Sequence, residues 1–372
     1  DLVQQLEMIQ STQGLTDSQI GELDYSRAVL LYWSGDIAAA CAMFERADKA
    51  QLGLGTIKGQ LQIYLALCRT MQGERDLALQ GIAALKSLDA GKRGALASRL
   101  AGAEFYAQYI GIATAAASKA AARLAMISST DFDSEHVRAW ANYMQGLVLL
   151  NTGRFNKAAS KFDLAMEGIG QVEYQARIDI LVGKILCLAH LREWDKLEAE
   201  FLRLESLALA PQMDEARAQL LASVRARSAL LHADVETAIE LAQELPELPA
   251  VGTLMFWLEE PAITRIRVDL ARGERAFASM ALKAISAIRV GTVAQHLLCQ
   301  DIDLMLLEAV AREQLAEPAK AQALIEEALA LAAPASWCRP FQELGDALNP
   351  LLQRSAANVE YRDFLSVQCG LG

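Results

Sequence analysis

The sequence predicts an all-α protein, a right-handed superhelix of about eight helix-turn-helix repeats. Three observations predict it. Residues 136–168 display the repeating unit most clearly. Trp140, Tyr143, Gly146, Val148 and Leu149 lay one apolar stripe along a first helix. Asn151, Thr152 and Gly153 stop it, because glycine tolerates the left-handed residue that a helix end needs. Phe155, Ala158, Ala159, Phe162, Ala165 and Met166 then start a second helix at spacings of three and four. Such a pair cannot bury its apolar faces alone and needs copies of itself on either side.

The second observation is that the copies are present. Ala40 and Phe44 follow Gly35-Asp36, Ala78 and Ile82 follow Gly73-Glu74, and Ala117 and Ala121 follow Gly111. Ala158 and Phe162 follow Gly153, and Leu197 and Phe201 follow Arg192-Glu193. Ala238 and Ala242 follow Ala233-Asp234, Ala278 and Leu282 follow Gly273-Glu274, and Ala321 and Ile325 follow Ala316-Glu317. These marks recur about every 38–43 residues, longer than the roughly 34 of a tetratricopeptide (TPR) unit and near the roughly 40–47 of longer helix-pair repeats. The units are therefore TPR-like. The third observation is composition: 53% hydrophobic residues with only 8 prolines suit close helix packing. No apolar run reaches the roughly 20 residues expected of a membrane span. A chain of 372 residues exceeds what one compact core usually holds, but a solenoid escapes that bound because each unit packs only on its neighbours.

In chain order, a helix is expected from Leu2 to Gln10, followed by a loop in which Asp17 or Ser18 caps the next helix. Pairs then run over 19–49, 57–88, 94–127, 135–168, 172–207, 213–245, 259–289 and 296–332. The connections are short, and Pro246, Pro249 and Pro261 mark the place where the superhelix changes pitch. Residues 1–333 form the superhelix and 334–372 a set of capping helices. Pro340 suits the first turn of a helix, which over Phe341–Arg354 closes the apolar end of the stack. A last helix is expected near Glu360–Val367.

Net charge is −11, from 46 acidic and 35 basic residues, a sign that repels phosphate backbones. Nucleic-acid binding by these residues is not expected, nor is a membrane partner. The six cysteines are scattered without a C-x-x-C pair and read as small apolar residues of a reduced, cytoplasmic protein. The chain begins at Asp1 without a signal peptide and reads as a segment of something longer.

Chemical motifs are sparse. Gly53-Leu54-Gly55 with Gly59 has the glycines of a phosphate loop, but it follows a helix and misses the spacing, so it reads as a turn. His136, His190, His232 and His296 are dispersed, with no histidine or cysteine four residues away to complete a metal pair. His190 and His232 fall at the ends of first helices, where an imidazolium meets the negative end of the dipole. No serine stands in a G-x-S-x-G context. No enzymatic activity, cofactor or metal is expected.

In a right-handed superhelix the first helix of each pair lines the inner surface. Tyr25, Tyr32, Tyr106, Tyr109, Trp140 and Tyr143 fall on that face, followed by Asp179, Arg227 and Arg267. Aromatic rings with polar tips offer platforms to apolar ligand faces, and charges beyond them fix orientation. The candidate ligand-binding residues are Tyr106, Tyr109, Trp140, Tyr143, Asp179, Arg227 and Arg267. The aromatics fit equally a structural place in the seams between units.

The run EEALALAAPASWCRPFQELGDALNPLLQR carries a family resemblance through Ala328-Leu329, Leu331, Pro334, Arg339, Phe341, Gly345, Leu351 and Leu352. It resembles the end of the helical-repeat region of large ATP-dependent LuxR-type transcription regulators, the group that includes the activator of the maltose regulon. The stretch WLEEPAITRIRVDLARGERAFA at 257–278 is similar to another part of that region. The resemblance implies an effector-sensing, signal-relay and oligomerisation domain that binds a small molecule or regulatory protein. It also implies a neighbouring NTPase domain, a DNA-binding domain and homo-oligomerisation. Neither a G-x-x-x-x-G-K-[ST] loop nor a basic recognition helix occurs within the chain itself. The alternative is a stand-alone TPR-type scaffold that binds peptides.

Overall fold

The computed structural model describes residues 14–50, 55–87, 94–127, 134–170, 174–208, 215–248, 258–355 and 359–370. They form eight antiparallel helix pairs: α1 (Asp17–Trp33) with α2 (Ile37–Lys49), α3 (Gly55–Met71) with α4 (Arg75–Ser87), and α5 (Gly94–Ile110) with α6 (Thr114–Ile127). Next come α7 (Ser134–Asn151) with α8 (Phe155–Gly168), α9 (Tyr174–Leu191) with α10 (Trp194–Ala208), and α11 (Glu215–Leu231) with α12 (Val235–Ala242). The last two are α13 (Pro261–Ala271) with α14 (Arg275–Ala294), and α15 (Leu298–Gln314) with α16 (Pro318–Ala335). Two more helices follow, α17 (Arg339–Ser355) and α18 (Val359–Asp363), and the chain then runs into a π-helical turn over Phe364–Gln368. No strand occurs among the described residues. The helix expected at Leu2–Gln10, and Gly53 and Leu54, lie outside them.

One backbone device makes all eight turns. The residue five positions before each small mark has positive φ: Gly35, Gly73, Ile112, Gly153, Arg192, Ala233, Gly273 and Ala316. In seven of the eight the following N–H then closes back on the first helix, as from Asp36 to the Leu31 carbonyl (3.0 Å) and from Arg154 to that of Leu149 (2.8 Å). In the third pair Ile112, not Gly111, holds the left-handed position. Gly111 answers to something else: a Cβ there would push aside the Arg75 guanidinium that packs on it. The first helix is capped by Thr16 rather than Asp17 or Ser18, through a reciprocal box with Gln19.

The marks are the seams. Ala40, Ala78, Ala117, Ala158, Ala238, Ala278 and Ala321 are all fully buried, and Leu197 nearly so. Phe162 shows how tightly the seams close. A Cβ on Gly146 of α7 would lie 2.7 Å from its ring, and one on Gly183 of α9 would lie 2.5 Å away. Its ring therefore fills a slot between two pairs that only glycine can border. Leu282 departs from the pattern: it is half-buried, and Ala281 and Ile285 take the inward places on the long helix α14. That helix is, from Arg275 to Val293, long and apolar enough to cross a membrane by length and composition. The sequence reading expected no such stretch.

Candidate functional site

The inner side of pairs three to eight converges on one segment, Ala335–Glu343, between α16 and the second turn of α17. Ser336 ends α16 in a left-handed conformation and turns the chain inward. Trp337, Cys338 and Phe341 are almost fully buried, because the first helices of six pairs close around them. Thr114 donates to the Ala335 carbonyl (2.7 Å), and the Trp337 ring sits 5.5 Å from that of Tyr109. Cys338 N–H donates to the Asn151 carbonyl (2.8 Å), and Arg339 Nε to its side-chain oxygen (2.7 Å). Asn151 in turn donates to the Tyr109 hydroxyl (2.7 Å).

Glu343, one helical turn beyond Arg339, is the hub. Arg227 Nη2 reaches both its oxygens at 2.7 Å, and Arg339 Nη1 lies 3.0 Å from one of them. Arg267 is 3.7 Å away and His190 3.5 Å. Burial alone would push this carboxyl up, but Arg227 and Arg339, with His190 and Arg267, hold it well below the usual carboxylate range. Arg227 also pairs with Glu259 and donates to the Leu258 carbonyl (2.8 Å). Asp303 completes the network, 3.2 Å from Arg267 and 3.7 Å from Arg339. One segment thus touches the first helices of the third to eighth pairs, α5, α7, α9, α11, α13 and α15, and acts as an internal strut.

The seven sequence-predicted residues divide. Tyr109, Arg227 and Arg267, together with Asp303, Trp337 and Arg339, line a cavity with about 30 Å³ open to the centre of a water-sized sphere. Arg267 Nε and Nη1 and Trp337 Nε1 have no hydrogen-bond partner among the described residues. Tyr143 is 1% exposed and donates to Asp179, which also accepts from Leu258 N–H (3.2 Å). Burial pushes Asp179 up to about 6, against the two hydrogen bonds that lower it. Trp140 is half-buried against the core of pairs three to five, its ring 5.7 Å from Tyr143. Tyr106 is half-buried and packs on the aromatic cluster of the first two pairs.

Sequence reasoning missed Arg339, Glu343, Asn151 and Asp303. The signal that existed was Arg339 within the C-terminal run and the i, i+4 spacing of Arg339 and Glu343. The histidines were found at first-helix ends, but stacking decides their place: His190 lies on Phe155 (4.0 Å) and His232 on Trp194 (4.1 Å).

No family model and no curated protein matches the chain. Among solved structures it is similar to a Rap protein complexed with Competence and Sporulation Factor. That match has 13% identity and a TM-score of 0.57, and covers 90% of this chain and 92% of the other. At that identity the likeness is one of fold, an all-α helical-repeat superhelix. It says nothing of a LuxR-type lineage.

Proposed function

We propose that the chain is a non-enzymatic, cytoplasmic helical-repeat scaffold that binds a peptide or protein partner on its inner surface. The observation that carries this reading is the end-to-end match in fold to a Rap protein whose structure was solved in complex with a factor. The partner lies along the first helices of pairs one and two and the part of α5 around Tyr106, because the inner side from Tyr109 onward is filled by the strut. Tyr25, Tyr64 and Tyr106 stand on these helices, all half-buried, with Tyr25 and Tyr64 in edge contact at 6.4 Å. Half-buried tyrosines offer ring faces and hydroxyls at low entropic cost, which suits peptide recognition. A random-peptide selection on the immobilised chain tests this. Enriched peptides should lose about tenfold or more in affinity for Tyr64→Ala, about 1.4 kcal/mol, and keep it for Tyr361→Ala. Failure to enrich any peptide, or equal loss for both variants, rejects the reading.

A finer reading makes the chain the effector-sensing and relay region of a LuxR-type ATP-dependent transcription regulator. Its support is the C-terminal run, whose Arg339 and Phe341 are the buried anchors of the strut. A small-molecule effector would contact Tyr109, Arg227 and Arg267, with Tyr143 and Asp179 behind them and Tyr106 and Trp140 at the flanks. The cavity there admits a group of a few atoms. The flanking reading frame tests this: a phosphate-binding loop upstream and a helix-turn-helix downstream are expected, and their absence rejects it.

A further inference from the structure

Two of the six cysteines, far apart in the chain, come together. Cys338 caps the N-terminus of α17, its carbonyl accepting from the N–H groups of Phe341 (3.1 Å) and Gln342 (3.2 Å). Cys369 follows the π-helical turn and closes it, its N–H donating to the Phe364 carbonyl (2.9 Å). The Cys338 thiol donates to the Ser336 carbonyl (3.1 Å), and the Cys369 thiol lies within hydrogen-bonding reach of Cys338 Sγ. Two contacts hold the backbones at that separation: Gln342 Nε2 donates to the Cys369 carbonyl (3.2 Å), and the Phe341 and Phe364 rings pack edge to face at 5.4 Å. Both cysteines are free and buried.

From this geometry we propose that Cys338 and Cys369 are a modification site, an oxidisable dithiol that forms a reversible intramolecular disulfide between the strut and the last turn of the chain. The other four cysteines, Cys41, Cys68, Cys187 and Cys299, show no such thiol-to-thiol hydrogen bond among the described residues. The roles within the pair are unequal. The hydrogen bond from Cys369, with Arg154, lowers the Cys338 pKa against burial in the closed form. The N-terminus of α17 still favours a thiolate there once Cys369 has moved away, so Cys338 is the attacking thiolate. Cys369 is raised by the same bond and keeps its proton, so it is the resolving thiol.

With a small disulfide such as oxidised glutathione as co-reactant, the steps balance. Cys338 thiolate attacks one glutathione sulfur and expels a glutathione thiolate, leaving a mixed disulfide. Cys369 loses its proton to solvent and attacks Cys338 Sγ, expelling the second glutathione thiolate. The two cysteine thiols are oxidised and one glutathione disulfide is reduced to two thiols. Because both thiols are buried, reaction follows opening of the short α18 and its π-helical turn, whose Val367 is 78% exposed. Once formed, the bond ties that turn to the residue beside Arg339, and so makes the stiffness of the strut depend on redox poise.

The test is equilibration of the full chain against a series of oxidised and reduced glutathione buffers, followed by unfolding, alkylation and peptide mapping. The expected result is a linked Cys338–Cys369 peptide, with intact mass lower by two hydrogens and the other four thiols alkylated. Closing a loop of about 30 residues should raise the melting temperature by about 2–5 °C in the oxidised protein, and not in oxidised Cys369→Ser. Cys338→Ser serves as a second control, read by the same map. A persistent glutathione adduct on Cys338, a bond between other cysteines, or no linked peptide under oxidising poise overturns the proposal. So does an equal thermal shift in Cys369→Ser.

Discussion

The first two helix pairs and the last five share the same seams but close differently along their inner side. Pairs one and two meet through rings: Phe44 stacks on Tyr64 (5.4 Å), and Tyr25 and Tyr32 meet Tyr64 edge-on. Their inter-pair ion pair, Arg69 to Glu45 (3.3 Å), lies at the surface. Pairs four to eight are instead tied through Arg227, Arg267, Arg339 and Glu343, whose side chains are at most 6% exposed. Ring contacts join neighbours only, so the N-terminal pairs keep the pairwise independence of a solenoid. The buried charges join pairs that are not neighbours. They make the C-terminal part behave more like a single core.

Substitutions that separate these modes come first, because their effects are largest. Arg227→Ala leaves Glu343 and Glu259 buried with one cation removed and should cost about 3–5 kcal/mol by urea unfolding. Glu45→Ala, at 46% exposure, should cost only about 0–1 kcal/mol. Equal losses would erase the distinction between the two regions. Phe162→Ala should also cost about 3–5 kcal/mol, because the slot bordered by Gly146 and Gly183 has little freedom to collapse.

A pH profile gives a smaller effect confined to the C-terminal part. Asp179 is raised from 3.8 to about 6 in the folded chain. An acid so raised favours the fold fully below its unfolded pKa and loses that contribution as pH rises through the folded value. Wild-type stability should therefore fall relative to Asp179→Asn between about pH 4 and pH 6. Parallel curves for the two proteins would show that Asp179 is not held in this way.

The smallest effects concern the turns. Ala233 is exposed with φ of 61°, so Ala233→Gly should gain roughly 0.5–1 kcal/mol by removing left-handed strain. Ile112 has φ of 52° but is buried, so Ile112→Gly should lose stability despite the same relief. Melting temperatures of the two variants moving in the same direction would contradict this.

These contrasts also explain what was legible in the sequence. The eight pairs were legible because each seam needs a small residue beside a larger one at the same distance from a turn. That requirement is local and repeats. Tyr109, Arg227 and Arg267 were found as inward-facing residues for the same reason. Asn151 and Arg339 were not joined, since no local pattern marks a contact between residues so distant in the chain. The aromatic reading also left out how far the inner side fills: Tyr143 is enclosed because Asp179 reaches it from the next pair and the Phe162 ring from its own. Gly111 misled because its glycine answers to Arg75 and not to φ.

Hydrogen–deuterium exchange of Arg339→Ala against wild type tests most directly whether the strut ties the C-terminal pairs together. The account predicts faster exchange at once in α7, α9, α11, α13 and α15, which meet Arg339 or its partner Glu343, with α1 to α4 unchanged. Faster exchange confined to α17, or spread evenly into α1 to α4, would contradict it.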